Sequence, residues 1–200
     1  MKILKTILYW LIWCTWGLPV TIVGAVMTLA LIIIGKKPKT FCGGVYVEVG
    51  KNWGGLSMGP FFFVNKDPYL HLLQHERGHG NQWILGTFMY FIVGIPSAAR
   101  YWLREMETQA DKYTFTMFLY IGMFVISLIV LLCGVINSIV WLWIVGACLV
   151  AYSTTLCAWL CFIEAPKYNH GVDPDYDDFW VEGWATKSGE KTYEKYTKTK

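Results

Sequence analysis

Two long stretches without a charged residue divide the chain into apolar and polar segments. The first runs from Thr6 to Ile34 and the second from Tyr113 to Ile163. A helix needs about 20 residues to cross the hydrocarbon core of a bilayer. The first stretch therefore predicts one membrane span, kinked at Pro19 and retained as an anchor in the mature protein. The second is long enough for two spans, with a turn near residues 134–137.

A third apolar stretch, from Trp83 to Ala99, is shorter and is interrupted by Gly86, Gly94 and Pro96. We expect this segment to be buried or re-entrant and not to cross the membrane, because its uninterrupted apolar runs are too short.

Between the first span and the third stretch, the runs VYVEV and LSMGPFFFV are rich in β-branched and aromatic residues. The glycine-rich segment GKNWGG separates them, and this arrangement predicts a small β hairpin. Such a hairpin would either cover a site or pair its edge with an extended peptide.

The segment KDPYLHLLQHERGHGNQW predicts a helix capped by Asp67, with Pro68 in its first turn, that ends near Trp83. His75 and His79 are four residues apart and share one face of this helix. Two imidazoles at this spacing can bind one Zn²⁺, and Glu76 between them is placed to take a proton from a bound water. Alternatively, these three residues form a hydrogen-bonded polar cluster, or they bind a metal that only stabilises the fold. We interpret His71, one turn earlier, as a residue next to the ligands or on the helix surface.

A catalytic zinc usually has three protein ligands, so a third ligand has to come from elsewhere in the chain. Glu107 is one candidate, because ETQAD has an ExxxD spacing that resembles thermolysin-like gluzincins. This resemblance implies that Glu107 binds the metal and that Asp111 orients a ligand histidine. Glu182 is the other candidate, on a predicted helix that begins after DPDYDD. Candidate donors to a developing oxyanion are also present, at Arg100, Tyr113, His170 and Tyr176, although each is more readily explained as structural.

The segments HERGHGNQ, GIPSAARYW and YDDFWVEGWATKSG resemble a group of uncharacterised bacterial and phage integral membrane proteins. Those proteins show HExGHxxQ, an IPS element and a C-terminal FxxExxAxxxG motif, and the resemblance covers about half the chain. It implies that Glu182 is the third ligand, with Ala185 and Gly189 completing the last motif. The chain also remotely resembles gluzincin-type zinc metallopeptidases, but Thr186 stands where a gluzincin would have Asp.

Composition supports a membrane protein, since 55% of the residues are hydrophobic and 17% are aromatic. A net charge of +3 without a basic stripe argues against nucleic-acid binding. Nine of the 17 Lys and Arg lie from Lys36 to Lys112 and six follow Ile163, so both polar regions are predicted to face the cytoplasm. Only Cys42 of the six cysteines lies in a polar region, and no disulfide framework is predicted.

The sequence thus predicts a mainly α-helical integral membrane protein with a zincin-like helix, a small β hairpin and about three transmembrane helices. Its segments are an anchor (1–34), the hairpin with the HExxH helix and the short apolar segment (35–112), a transmembrane hairpin (113–163) and a C-terminal polar helix that returns to the metal (164–200). We expect a membrane-bound zinc metallopeptidase with membrane lipid and a peptide or protein substrate as partners. A metal-stabilised scaffold or assembly protein is the alternative. Metal transport is disfavoured, because the spans contain no ionisable metal ligands except cysteines.

Overall fold

The computed structural model describes residues 2–51, 53–88, 90–168 and 175–198. The chain is mainly helical and divides into two compact units. Unit 1 combines Met1–Gly94 with Asp175–Lys200, and unit 2 is Ile95–Pro174.

The N-terminal apolar stretch forms two helices, α1 (Lys2–Thr15) and α2 (Leu18–Ile33), instead of one. Their axes are bent by 103° at the break. The break falls where the sequence predicted a kink, with Pro19 in the first turn of α2. Gly17 permits the sharp turn, because a Cβ atom there would lie 2.1 Å from the indole of Trp13.

A four-stranded sheet follows, formed by β1 (Pro38–Phe41), β2 (Gly44–Glu48), β3 (Gly55–Met58) and β4 (Phe61–Val64). The spatial order is β1-β2-β4-β3.

The small sheet was predicted, but the predicted strand pairing was wrong. The strand in VYVEV pairs in parallel with β4, while β3 and β4 form an antiparallel hairpin within LSMGPFFFV. Gly59 adopts a positive φ of 66° and makes a tight turn with Pro60, which explains why LSMGPFFFV forms two strands instead of one.

Helix α3 runs from Leu70 to His79 and carries the HExxH motif. It is shorter than predicted at both ends. Asp67 has a φ of 55° and does not cap the helix, whose N-cap is Tyr69. Gly80 ends the helix before Trp83, where a separate 3-10 helix (Trp83–Phe88) begins.

The C-terminal helix α8 (Trp180–Thr197) is preceded by a 3-10 turn at Tyr176–Asp178, as the DPDYDD segment predicted. It packs directly on α3 in unit 1. A Cβ atom on Gly78 would lie 1.8 Å from the carbonyl oxygen of Ala185, and one on Gly189 would lie 1.8 Å from that of Gln74. These two glycines therefore let the helix backbones touch.

Unit 2 contains α4 (Ile95–Glu105), α5 (Gln109–Ile136), α6 (Val140–Trp159) and α7 (Ala165–Lys167), with a π-helical segment at Leu160–Glu164. The helices Gln109–Ile136 and Val140–Lys167 are long and apolar enough to cross a membrane. The two long apolar helices predicted for 113–163 are therefore present, with the turn between them at 137–139 instead of 134–137.

In its described residues, 83–88 and 90–94, the predicted short segment from Trp83 to Ala99 forms no long helix before α4 begins. Its 3-10 helix is broken at Gly86, where φ is 49°, and a π-helical turn (Tyr90–Gly94) precedes α4. Val93 is buried, whereas Phe88 and Phe91 are 51% and 40% exposed, so the segment is only partly buried.

Candidate metal centre

Three buried side chains from two helices converge on one point in unit 1. Nε2 of His75 and Nε2 of His79 are 3.1 Å apart. Oε2 of Glu182 lies 3.3 Å from the first nitrogen and 3.1 Å from the second. Among the described residues, His75, His79 and Glu182 form the group of ligand-type side chains that could hold a metal ion.

Helix geometry and two glycines place these three atoms together. His75 and His79 lie on successive turns of one face of α3. Glu182 comes from the first turn of α8 and is fully buried. Its carboxylate reaches the imidazoles because the backbones of α3 and α8 touch at Gly78 and Gly189.

Nδ1 of His75, the ring nitrogen that faces away from Glu182, is hydrogen-bonded to a hydroxyl. Nδ1 of His75 lies 2.7 Å from Oγ1 of Thr186, and Oγ1 of Thr186 donates a hydrogen bond of 2.8 Å to Oδ1 of Asp177. Since the hydroxyl proton is directed to the carboxylate, the threonine oxygen accepts from His75. The proton of a neutral His75 imidazole is therefore on Nδ1.

Nδ1 of His79, the ring nitrogen that faces away from Glu182, is hydrogen-bonded to a side-chain amide. Nε2 of the buried Gln82 donates to the backbone carbonyl of Val181 over 2.7 Å, which identifies the other amide atom as oxygen. That oxygen, Oε1, lies 2.9 Å from Nδ1 of His79. The proton of a neutral His79 imidazole is therefore also on Nδ1.

With the protons on Nδ1, the Nε2 atoms of both histidines direct a lone pair toward Oε2 of Glu182. Three acceptors this close in a buried site repel one another unless a cation or proton lies between them. Without a metal, a proton can serve this purpose. Burial of His79 disfavours its charged form, but the hydrogen bond and charge of Glu182 outweigh burial and raise the pKa of His79 to about 9.

The spacing of the three atoms also fits a small divalent cation. Tetrahedral zinc sites have metal–ligand distances of about 2.0–2.1 Å, which place neighbouring ligand atoms about 3.3 Å apart. The three edges of this triangle are 3.1, 3.1 and 3.3 Å. A metal ion can thus be accommodated here with little movement of the side chains.

Glu76 lies beside this group and is buried, but it is not one of the three converging ligands. Oγ of Ser57 on β3 donates to its Oε2 over 2.8 Å and also lies 2.7 Å from its backbone oxygen. A Cβ atom on Gly55 would lie 2.0 Å from Oε1 of Glu76. The outer strand β3 therefore passes directly over the carboxylate.

Of the remaining predicted site residues, His71 is exposed and its ring stacks on Tyr69, so it lies on the helix surface. Glu107 is exposed between α4 and α5 and is not a member of the ligand group. Asp111 lies in the first turn of α5, where its backbone N–H donates to the side chain of Thr108 and its carboxylate accepts from that side chain.

The candidate oxyanion donors gain no support. Arg100 pairs with Glu164 inside unit 2, and Tyr113 is 42% exposed. His170 lies outside the described residues, and the structure does not describe the side chain of Tyr176.

The site also includes four partners that were not predicted from the sequence: Thr186, Gln82, Asp177 and Ser57. Helical spacing could have indicated two of them, since Gln82 follows His79 by three residues and Thr186 follows Glu182 by four. Nothing in the sequence pairs Ser57 with Glu76, because that contact depends on where β3 packs.

A surface cavity of about 480 Å³ lies along a different face of α8, and Trp180, Trp184, Lys187 and Lys191 line it. None of the three ligand residues borders this cavity.

The chain matches no family model, no curated protein and no solved structure.

Proposed function

We propose that the protein is a membrane-bound zinc metallopeptidase with His75, His79 and Glu182 as metal ligands. The observation that carries the proposal is the convergence of two imidazole lone pairs and a carboxylate oxygen at mutual distances of 3.1–3.3 Å. Two imidazoles and a carboxylate are a ligand set of catalytic zinc, and three protein ligands leave a fourth position for water.

Zinc bound there would lower the pKa of a coordinated water and polarise a peptide carbonyl. Glu76 is the residue that moves the proton. Its carboxylate accepts a proton from the attacking water and returns it to the nitrogen of the leaving amine, so no covalent intermediate with the protein is needed. Ser57 orients the carboxylate through its hydrogen bond to Oε2.

The position of β3 supports a peptide substrate. β3 is an edge strand of the sheet, and at Gly55 its backbone contacts the side chain of Glu76. An extended peptide that pairs with this edge would run past the proposed base, and main-chain hydrogen bonds would hold it independently of its side chains.

The alternative is a metal that only stabilises the protein. The observation that favours it is that the three ligands join α3 to α8 and are almost completely buried, with Glu182 at 0% exposure. A metal in this position would fasten the C-terminal helix to the rest of unit 1 in either case.

Metal analysis and a single substitution separate these functions. Detergent-purified wild type is compared with His79→Ala, Glu182→Gln and Glu107→Gln by elemental analysis, the last serving as the exposed control. We expect one zinc per chain in wild type and Glu107→Gln and its loss in the other two. Retention of zinc in Glu182→Gln and loss in Glu107→Gln would overturn the ligand assignment.

Glu76→Gln then tests catalysis. It should retain zinc but lose cleavage of a quenched-fluorescent peptide library by at least about a hundredfold, because Gln cannot accept a proton. If wild type binds zinc but cleaves no peptide in bilayers or detergent, the scaffold function is favoured. Equal cleavage by wild type and Glu76→Gln would contradict the proposed role of Glu76.

We further propose that the site faces the cytoplasm, because Lys and Arg are concentrated in the polar segments that form unit 1.

A further inference from the structure

The two helices of the bent helix pair, α1 and α2, each carry an exposed apolar face. Side chains more than half exposed on these helices include Leu4, Leu8 and Leu11 on α1, and Val26, Leu29 and Ile33 on α2. On α1 the spacing of three to four residues places them along one side of the helix. An uncovered apolar surface of this extent is unusual on a protein surrounded only by water.

The opposite side of α1 is attached to the polar part of unit 1 along its length. The ring nitrogen of Trp10 donates to the carbonyl of Gly43, and that of Trp13 donates to the carbonyl of Gly80, each over 2.9 Å. The guanidinium of Arg77 lies 4.0 Å from the ring centre of Tyr9. Helix α1 therefore packs on the sheet turn and on the metal-binding helix.

Helix α2 is attached in the same way. A Cβ atom on Gly24 would lie 2.8 Å from the carbonyl oxygen of Met58 on β3, so the middle of α2 touches the sheet. A helix that crossed the bilayer would be surrounded by hydrocarbon at its midpoint, where the unpaired backbone groups of an edge strand such as β3 would be costly.

The beginning of α1 is fixed beside a charged helix. Oγ1 of Thr6 lies 2.9 Å from the hydroxyl of Tyr196, near the C-terminal end of α8. Glu194, Lys195 and Lys198 surround this position in the sequence. Because so many charges cannot lie in the hydrocarbon core, the start of α1 is on the same side of the membrane as α8.

We propose that the bent helix pair does not cross the membrane but lies in one leaflet, with lipid acyl chains covering its outward apolar face. Lys5 at one end and Lys36 and Lys37 at the other are placed to meet lipid phosphates. Lipid is available to cover this apolar face, since the same chain has two helices that are long and apolar enough to cross a bilayer. The described part of the chain then crosses twice, and the start of α1 is on the side of the metal centre. This inference does not depend on zinc or on catalysis.

Sidedness is tested with the full-length protein in sealed vesicles. All six cysteines are replaced, and single cysteines are introduced by Lys5→Cys, Lys191→Cys and Ser138→Cys. A membrane-impermeant maleimide should reach positions 5 and 191 from the same side. Ser138→Cys, which is separated from α8 by the α6 span, should react from the other side and serves as the control. Reaction of positions 5 and 191 from opposite sides would overturn the proposal.

Depth is measured with an environment-sensitive fluorophore on Leu8→Cys, Val26→Cys and, as a deep reference in α5, Ile126→Cys. Lipids with spin labels near the headgroup should quench positions 8 and 26 at least about twice as strongly as lipids labelled near the acyl-chain end, whereas position 126 should show the reverse. Stronger deep quenching at position 26 would indicate a crossing helix, and absence of quenching at both 8 and 26 would indicate a protein partner such as a second copy. Either result would overturn the proposal.

Discussion

Oγ1 of Thr186 lies 2.7 Å from Nδ1 of His75, on the side of the ring away from Glu182. Thr186 follows Glu182 by one helical turn. A negative charge lies behind this hydroxyl, because the threonine hydroxyl donates to Asp177 in the turn before α8. The carboxylate thus acts on His75 through one intervening hydroxyl.

This relay predicts that Thr186→Val weakens metal binding. The substitution retains the shape of the side chain but removes the acceptor for His75 Nδ1, and loss of such a partner usually reduces metal affinity about 10–100-fold. Affinity is measured by competition with a chromophoric chelator. Thr186→Ser is the matched control and should bind like wild type. Wild-type affinity in Thr186→Val would show that the hydroxyl has no influence on the metal.

The contact between α3 and α8 predicts a large effect of adding one methyl group at Gly78. Gly78→Ala would place Cβ 1.8 Å from a backbone oxygen, which no side-chain rotation can relieve. We expect a loss of about 3 kcal/mol or more in the free energy of unfolding of unit 1, together with loss of bound metal.

The control for this substitution is Gly122→Ala in α5, where a Cβ atom would meet no neighbour within 4 Å. It should leave metal content unchanged. Thermal unfolding and elemental analysis measure both effects. If Gly78→Ala retains metal and stability, α3 and α8 are not in backbone contact in solution.

The raised pKa of His79 predicts that metal binding releases a proton. The pKa is about 9 in the metal-free fold, against about 6.5 in the unfolded chain. Because it is raised, protonated His79 stabilises the metal-free fold below about pH 6.5, and this contribution disappears as the pH rises to about 9. Between these values the metal has to displace the proton, so affinity should rise about tenfold per pH unit.

Calorimetric titration of zinc in two buffers of different ionisation enthalpy counts the released protons. We expect wild type to release close to one proton per metal bound at pH 7.5. An affinity independent of pH between 6.5 and 9 would contradict the assignment of His79 as a ligand.

A buried ion pair in unit 2 supplies a prediction about stability. Glu164 is fully buried, and its Oε1 accepts from Nε of Arg100 over 2.5 Å and from the hydroxyl of Tyr168 over 3.2 Å. Glu164→Ala would leave the guanidinium of Arg100 buried without this partner, which typically costs about 3–5 kcal/mol.

Lys167→Ala is the control for this pair. Lys167 also contacts Glu164, at 3.1 Å, but its side chain is 35% exposed, so its removal should cost less than about 1 kcal/mol. Chemical denaturation in detergent compares the two variants. Equal effects would show that the Arg100–Glu164 pair contributes no more than a surface pair.

The local features of this chain follow from its sequence. The lack of charge from Tyr113 to Ile163 predicted two long apolar helices, because only a helix satisfies its own backbone groups in lipid. The four-residue spacing of His75 and His79 placed both imidazoles on one face of a helix, although the cap and the length of that helix were predicted incorrectly. Helical periodicity is a local property, and residues close in the sequence are sufficient to define it.

The tertiary structure decided which distant residues meet. Both Glu107 and Glu182 had suitable chemistry and spacing, and only the close approach of α8 at Gly78 and Gly189 brought Glu182 to the histidines. The parallel pairing of β2 with β4 and the 103° bend between α1 and α2 likewise depend on packing against other elements. An apolar run has the same composition whether lipid or protein covers it, so hydrophobicity alone could not distinguish a crossing helix from one attached to the face of unit 1.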